Sequence, residues 1–205
     1  MHSLQWFRTP AEPRGVVLLL HGGQEASEEA VSRWGHPVLR MVPFALSLRR
    51  RRHRLAVGLL RYAVRGWNAE HQSPVADVRW ALDETRRRYP GAPIVLVGHS
   101  MGARAALHVM DAPDVQVVVA LAAWVAPGDP VLGRRGLKVY LGHGTDDRIT
   151  APRGSQYLAK ALQEKGTEVT LELVDGEGHA LLRKARWWHR RVTAYVMESV
   201  QGLEK

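Results

Sequence analysis

The chain has 205 residues and no cysteine, so its length suits one domain and its composition excludes disulfides, thiol nucleophiles and thiolate metal sites. Hydrophobic residues make up 45% and charged residues 24% of the sequence, which is ordinary for a globular protein and argues against a disordered chain. The net charge of +9 raises the question of a nucleic-acid or anionic membrane partner.

The basic residues are mostly scattered arginines, with two short runs at 49–54 (RRRRHR) and 86–88. Each run ends a predicted helix just before an apolar strand, a position where cations suit the helix dipole. Proteins that bind single-stranded nucleic acid need aromatic residues among their basic residues, and none interleave with these arginines. We therefore predict no nucleic-acid partner.

The N-terminal segment has no apolar stretch of the secretory type. The longest apolar run, 117–127, is well short of the roughly 20 residues that cross a bilayer. These features predict a cytoplasmic protein without a membrane span.

Short, fully apolar runs alternate with longer amphipathic runs along the chain. In chain order, the predicted elements are strand 16–20, helix 27–49, strand 55–62, helix 74–89, strand 94–97, helix 101–110, strand 115–122, strand 137–141, helix 151–165, strand 169–174 and helix 181–200. Apolar strands alternating with helices predict an α/β fold, with a mostly parallel central sheet flanked by helices on both faces. Because no repeat or linker divides the chain, residues 1–205 are predicted to form one domain.

The sequence Gly98-His99-Ser100-Met101-Gly102 fits the pattern G-x-S-x-G between a predicted strand and a predicted helix. In that context the pattern is typical of a sharp turn that exposes a nucleophilic serine, and the N–H group after the serine stabilises the oxyanion. Ser100 is therefore the predicted nucleophile and Met101 a predicted oxyanion donor. The alternative is a glycine-rich turn that carries an ordinary surface serine.

A nucleophilic serine needs a base and an orienting acid, which in this architecture follow in the order Ser, Asp or Glu, His. The loop after strand 137–141 carries Asp146 and Asp147, and the loop after strand 169–174 carries Asp175 and His179. Ligand crevices lie at the carboxyl ends of such strands. His179 is therefore the predicted general base, with the three aspartates as candidate acids.

Four motifs follow one another along the chain in this order: His21-Gly22, the serine motif at 98–102, the segment 143–149 (HGTDDRI) and Gly176-Glu177-Gly178-His179. With them, nearly the whole chain resembles the α/β-hydrolase superfamily, in particular its compact esterase and serine-peptidase-like members without a lid. The resemblance implies a Ser100–Asp147–His179 triad, with Asp146 as the alternative acid.

The same resemblance implies that the second oxyanion donor is Gly23, with Gln24 as the alternative. It also implies that His21 and His143 shape loops, and His99 is expected to point away from the reacting centre. Because residues 122–135 are too few for a lid domain, an open and shallow site is expected.

Gln24, Trp67 and Trp124 are the candidate substrate contacts near Ser100. The predicted function is hydrolysis of an ester, thioester or small amide through an acyl-enzyme, with a small-molecule acyl substrate and neither cofactor nor metal. A peptidase, lipase or acyltransferase stays open, and the alternative from another class is a non-catalytic binding or scaffold protein.

Overall fold

A computed structural model describes residues 1–50 and 53–203. The strands are β1 (Ser3–Arg8), β2 (Gly15–Leu20), β3 (Leu55–Arg61), β4 (Ile94–His99), β5 (Val115–Leu121), β6 (Lys138–Gly144) and β7 (Glu168–Val174). The helices are α1 (His36–Leu48), α2 (Ser73–Arg88), α3 (Met101–Leu107), α4 (Pro152–Glu164) and α5 (Ala185–Gly202), with a short 3₁₀ turn at Ala69–His71.

All seven strands lie in one sheet of order β1-β3-β2-β4-β5-β6-β7. β1 pairs antiparallel with β3, and every other neighbouring pair is parallel. Helix α1 packs against α5, and α2 packs against α3. The inner strands β2 and β4 are buried along their whole length, which is why they read as continuous apolar runs. The predicted mostly parallel α/β architecture is confirmed.

The helix predicted to begin at Ser27 begins only at His36. The chain before α1 makes two isolated strand-like contacts, since Gln24 bridges Gly66 and Ala30 bridges Val64. The Asn68 side chain adds a hydrogen bond to the Ser27 N–H at 2.8 Å. These partners take the backbone groups that a helix would need.

Two further differences concern the ends of the chain. Strand β1 was not among the predicted elements, although Leu4 and Trp6 alternate with polar neighbours as an edge strand requires. The last helix begins at Ala185 rather than Leu181, because Leu181 has a left-handed backbone with φ of 55° that no helix accommodates.

The two arginine runs adjoin helix ends as expected. Arg49 is the C-cap of α1, and Arg86–Arg88 form the last turn of α2, where Arg86 binds Asp114 and Asp83. Arg51 and Arg52 of the first run lie outside the described residues. Within the described ranges, no helix is both long and apolar enough to cross a membrane.

Candidate active site

Ser100 sits on the tight turn that joins β4 to α3, with φ of 56° and ψ of −119°. This backbone conformation is rare for a residue with a side chain, and it lifts the hydroxyl away from the sheet. A Cβ at Gly98 would collide with the backbone of Gly102 and Ala103, and a Cβ at Gly102 would collide with the backbone of Leu20. Both glycines of the motif are therefore required for α3 to pack this closely.

Ser100, His179 and Asp147 form a continuous hydrogen-bonded chain. The Ser100 hydroxyl lies 3.0 Å from His179 Nε2, and His179 Nδ1 lies 2.8 Å from Asp147 Oδ2. Because a carboxylate only accepts, the proton of the neutral imidazole belongs on Nδ1, which leaves Nε2 free to accept from the serine. The three side chains come from the loops after β4, β6 and β7, at the carboxyl edge of the sheet.

Asp147 is surrounded by hydrogen-bond donors. Thr150 donates from its hydroxyl to Oδ2 at 2.8 Å and from its N–H to Oδ1 at 3.0 Å, and the Ile149 N–H also reaches Oδ1. His143 Nε2 lies 3.1 Å from Oδ2. Burial alone would raise the pKa of the Asp147 carboxyl, but the hydrogen bonds from His143, His179 and the backbone outweigh it and hold the pKa well below its usual range. The carboxylate is therefore charged at neutral pH.

The other two candidate acids lie elsewhere. Asp146 is exposed and pairs with Arg183 at 3.2 Å. Asp175 is also exposed, and its carboxylate accepts from the Thr145 hydroxyl. Among the three aspartates, only Asp147 has a hydrogen bond to His179 in the described structure.

The loop that carries His179 is held by Glu177, whose carboxylate is buried. It accepts hydrogen bonds from the N–H groups of Gly178, Arg183 and Lys184 and from the indole of Trp188. These bonds fix the path of the chain from β7 to α5. Sequence reasoning gave Glu177 no role.

His99 fixes the same loop from the other side. Its Nε2 donates to the His179 carbonyl oxygen at 2.8 Å, which orients the peptide that bears the imidazole. Burial lowers the pKa of His99 to about 3, so the ring is neutral. The expectation that His99 points away from the centre was wrong, since the centroid of its ring lies 5.1 Å from that of His179.

His21 orients the loop after β2. Its Nδ1 lies 2.6 Å from the Gly22 carbonyl oxygen, and its Nε2 accepts from the Tyr62 N–H at 3.2 Å. Burial lowers the pKa of His21 to about 4, which keeps the ring neutral for this pattern. In a trans peptide the N–H points opposite to the carbonyl. The Gly23 N–H therefore points away from the ring of His21.

Gln24 differs from Gly23 in its backbone bonding. Its N–H donates to the Arg65 carbonyl oxygen at 2.9 Å, which removes it as an oxyanion donor. The Gly23 N–H has no acceptor within the described ranges.

A cavity of about 310 Å³ opens beside Ser100. It is lined by Gly22, Gly23, His36, Pro37, Arg40, His99, Ser100, Ile149, His179 and Ala180. Gln24 lines an adjoining cavity of about 290 Å³. The segment between β5 and β6, residues 122–137, contains no helix or strand, so no lid covers the site from there.

Trp67 and Trp124 were predicted to contact the substrate, but neither residue lines the cavity beside Ser100. Trp67 is buried, and both indoles stack on the Arg104 guanidinium, with centroid distances of 4.0 and 4.3 Å. Arg104 in turn binds Asp129 through Nε and Nη2. The two tryptophans therefore support a buried ion pair.

Comparison with known proteins finds one matching family model and many solved structures of similar fold. A family model described as serine aminopeptidase, S33, matches residues 62–139, which is less than half of the chain. A search of curated protein sequences finds no match.

Three solved structures illustrate the likeness. A putative α/β-hydrolase from Agrobacterium tumefaciens, described as of unknown function, has a TM-score of 0.75 at 15% identity, with 98% of this chain and 91% of that chain covered. Est1E from Butyrivibrio proteoclasticus has a TM-score of 0.71 at 12% identity, with 98% and 94% covered. A serine hydrolase without lid from Xanthomonas campestris has a TM-score of 0.69 at 17% identity, with 96% and 88% covered. At these identities the likeness is one of fold.

Proposed function

Because the chain has the α/β-hydrolase fold, in its compact form without a lid, we propose that it is a serine hydrolase that cleaves an ester, thioester or small amide. The observation that carries this proposal is the hydrogen-bonded chain Ser100–His179–Asp147 at the edge of a cavity. A fold alone does not establish an activity, whereas this arrangement is the one expected of a nucleophile, a general base and an orienting acid, and it supports the proposal.

In the proposed reaction, Ser100 Oγ attacks the substrate carbonyl carbon while its proton passes to His179 Nε2. Asp147 stabilises the resulting imidazolium through its hydrogen bond to Nδ1. Collapse of the tetrahedral intermediate breaks the bond to the leaving group, which takes the proton from Nε2 and departs. Water then repeats the sequence, releasing the acid and restoring Ser100.

The proposed oxyanion donors are the N–H groups of Gly23 and Met101. Support for Gly23 comes from its peptide orientation, since His21 binds the Gly22 carbonyl and the Gln24 N–H is already bonded to Arg65. Support for Met101 comes from its position as the first residue of α3, where the N–H has no partner in the helix. Each such donor contributes about 3 kcal/mol of transition-state stabilisation.

The choice between ester and amide rests on the cavity. An aminopeptidase recognises a free amino group, which calls for a carboxylate near the serine. No Asp or Glu is among the described residues that line the cavity, where Arg40 supplies the opposite charge. Two of the fold's neighbours are described as esterases, which adds to the case for an ester. We therefore favour an ester substrate over an aminoacyl amide.

The test is labelling by a fluorophosphonate probe, which reacts with an activated serine. The wild-type protein is expected to be labelled, and Ser100→Ala to show no labelling while keeping its circular dichroism spectrum. The exposed Ser32→Ala variant serves as the matched control and stays labelled.

Two outcomes would contradict the proposal. Labelling that persists in Ser100→Ala would assign the nucleophile to another residue. A folded wild-type protein that ignores the probe and cleaves no p-nitrophenyl ester would favour a non-catalytic binding or scaffold role. A cytoplasmic location, a single domain over 1–205 and the lack of a nucleic-acid partner stay predictions.

A further inference from the structure

Arg40 is a cation that faces the cavity beside Ser100. It lies on α1 between the buried residues Val38 and Met41, and its side chain is half-buried. Nη1 donates to the carbonyl oxygen of Ala180, next to His179. Among the described residues no acceptor is found for Nε or Nη2, and no carboxylate pairs with Arg40.

The surroundings of Arg40 do not neutralise its charge. The described residues that line the cavity include no Asp or Glu. Asp147 lies behind His179 with its oxygens taken by His143, Thr150 and His179 itself, and Asp146 pairs with Arg183. Burial lowers the pKa of Arg40, as expected for a half-buried guanidinium with no carboxylate beside it among the described residues.

A purely structural role would use only part of this side chain. The bond to Ala180 occupies one N–H of the five that a guanidinium carries. A partly buried cation without a counter-ion costs free energy unless a ligand supplies the charge. The Nε–Nη2 edge offers two parallel N–H groups, the geometry that a carboxylate accepts.

We propose that the substrate of this site is an ester that carries a carboxylate, which Arg40 binds beside Ser100. A carboxylate fits better than a phosphate, because one guanidinium balances one charge and no second unpaired Lys or Arg lines the described cavity. The exposed imidazole of His36 lies on the same cavity wall and offers an additional donor. This inference rests on the proposed hydrolase activity.

The experiment compares matched pairs of substrates that differ only in the anion. Mono-p-nitrophenyl adipate against its methyl-capped diester tests a carboxylate on the acyl half. 4-Acetoxybenzoate against methyl 4-acetoxybenzoate tests a carboxylate on the leaving group. For at least one pair, the wild-type kcat/KM is expected to favour the anion by about 10-fold or more, as a charge-assisted hydrogen bond implies.

The ratio of the two kcat/KM values within each variant isolates the role of Arg40, since general effects on folding or on His179 cancel. In Arg40→Met the ratio is expected to fall to about one, and in Arg40→Lys to recover in part because the charge remains. Arg33→Gln removes the same charge from a residue that lines a different cavity, and its ratio should match the wild type.

A binding measurement separates failure of this inference from failure of the proposed activity. Calorimetry on the Ser100→Ala variant is expected to show saturable binding of monomethyl adipate and no binding of dimethyl adipate. Adding Arg40→Met to Ser100→Ala is expected to abolish the binding of monomethyl adipate. Hydrolysis of neutral esters without preference for either anion, together with no such binding, would overturn the anion site and leave the hydrolase standing. Binding without any hydrolysis would overturn the hydrolase and retain the anion site.

Discussion

Asp147 shows how one carboxylate is distinguished from its neighbour by its surroundings. Asp146 and Asp147 are adjacent in sequence, yet one is exposed against Arg183 and the other lies under His179. Local sequence alone could not separate them, and only the resemblance to a family motif favoured Asp147. The structure separates them by burial and by the number of donors around each.

The pair Asp147→Asn and Asp146→Asn tests this distinction. An amide at 147 would donate toward His179 Nδ1 and favour the tautomer with the proton on Nε2, which cannot accept from Ser100. We expect kcat on an activated ester to fall on the order of 10⁴-fold for Asp147→Asn. Asp146→Asn alters a surface pair and should change kcat by about two-fold or less.

Steady-state kinetics of the two variants at one pH provides the measurement. Equal losses, or a larger loss at 146, would contradict the assignment of Asp147 as the acid. Circular dichroism spectra that match the wild type would show that neither change acts through unfolding.

At the scale of elements, Arg104 joins helix α3 to the segment after β5. It stacks between Trp67 and Trp124 and binds both oxygens of Asp129. Burial alone would raise the pKa of Asp129, but the nearby His108 ring and the hydrogen bonds from Arg104 lower it to about 2. The ion pair therefore holds the segment 122–137, which contains no helix or strand, against α3.

Arg104→Leu should leave the Asp129 carboxylate without its main partner. We expect a loss of about 3 kcal/mol in the free energy of unfolding, the lower end for breaking a buried ion pair. The exposed Arg79→Leu variant is the control and should change it by about 0.5 kcal/mol or less. Urea unfolding measures both, and an Arg104→Leu variant as stable as the wild type would show that the pair does not stabilise the loop.

The elements that sequence predicted well are those whose pattern reflects burial. The inner strands are apolar throughout because helices cover both faces, and the site residues follow strands because ligands bind at that edge. The failures have another origin. The late start of α1 goes with the Ser27 N–H, which donates to the distant Asn68 side chain, and that of α5 goes with the left-handed backbone at Leu181. Such features leave no periodic signal.

The same reasoning applies to the site. The proposed triad residues lie in recognisable motifs, whereas no motif marks Thr150, which donates to Asp147, or Arg40, which lines the cavity beside Ser100. His143 was expected to shape its loop, and its ring also lies 3.1 Å from Asp147 Oδ2, a contact that the sequence did not indicate. The sequence offered one sign that Thr150 could lie at the site, namely that it is a polar residue in the loop after a buried strand.

At the scale of the whole molecule, buried neutral histidines couple stability to pH. Burial lowers the pKa of His99 to about 3 and that of His21 to about 4, against about 6.5 in the unfolded chain. Between these values the unfolded state binds more protons than the folded state, so stability rises with pH and is lost as pH falls below 6.5.

Between pH 6.5 and pH 5, each of these histidines should remove about 1.5 kcal/mol from the free energy of unfolding. Urea unfolding at several pH values measures the combined loss. In His99→Gln, whose amide keeps a donor toward the His179 carbonyl, the loss should shrink by about 1.5 kcal/mol. The exposed His71→Gln variant should retain the full pH dependence, and equal slopes in all three proteins would contradict the coupling.

The left-handed backbone at Ser100 sets activity and robustness against each other at a single position. A serine held at φ of 56° raises the energy of the native state, and the packing of α3 against Leu20 must offset it. Glycine adopts such a backbone without strain, so Ser100→Gly should raise the free energy of unfolding while it removes the hydroxyl. If the proposed hydrolase function holds, the residue that supplies the nucleophile is also one that costs the folded state stability.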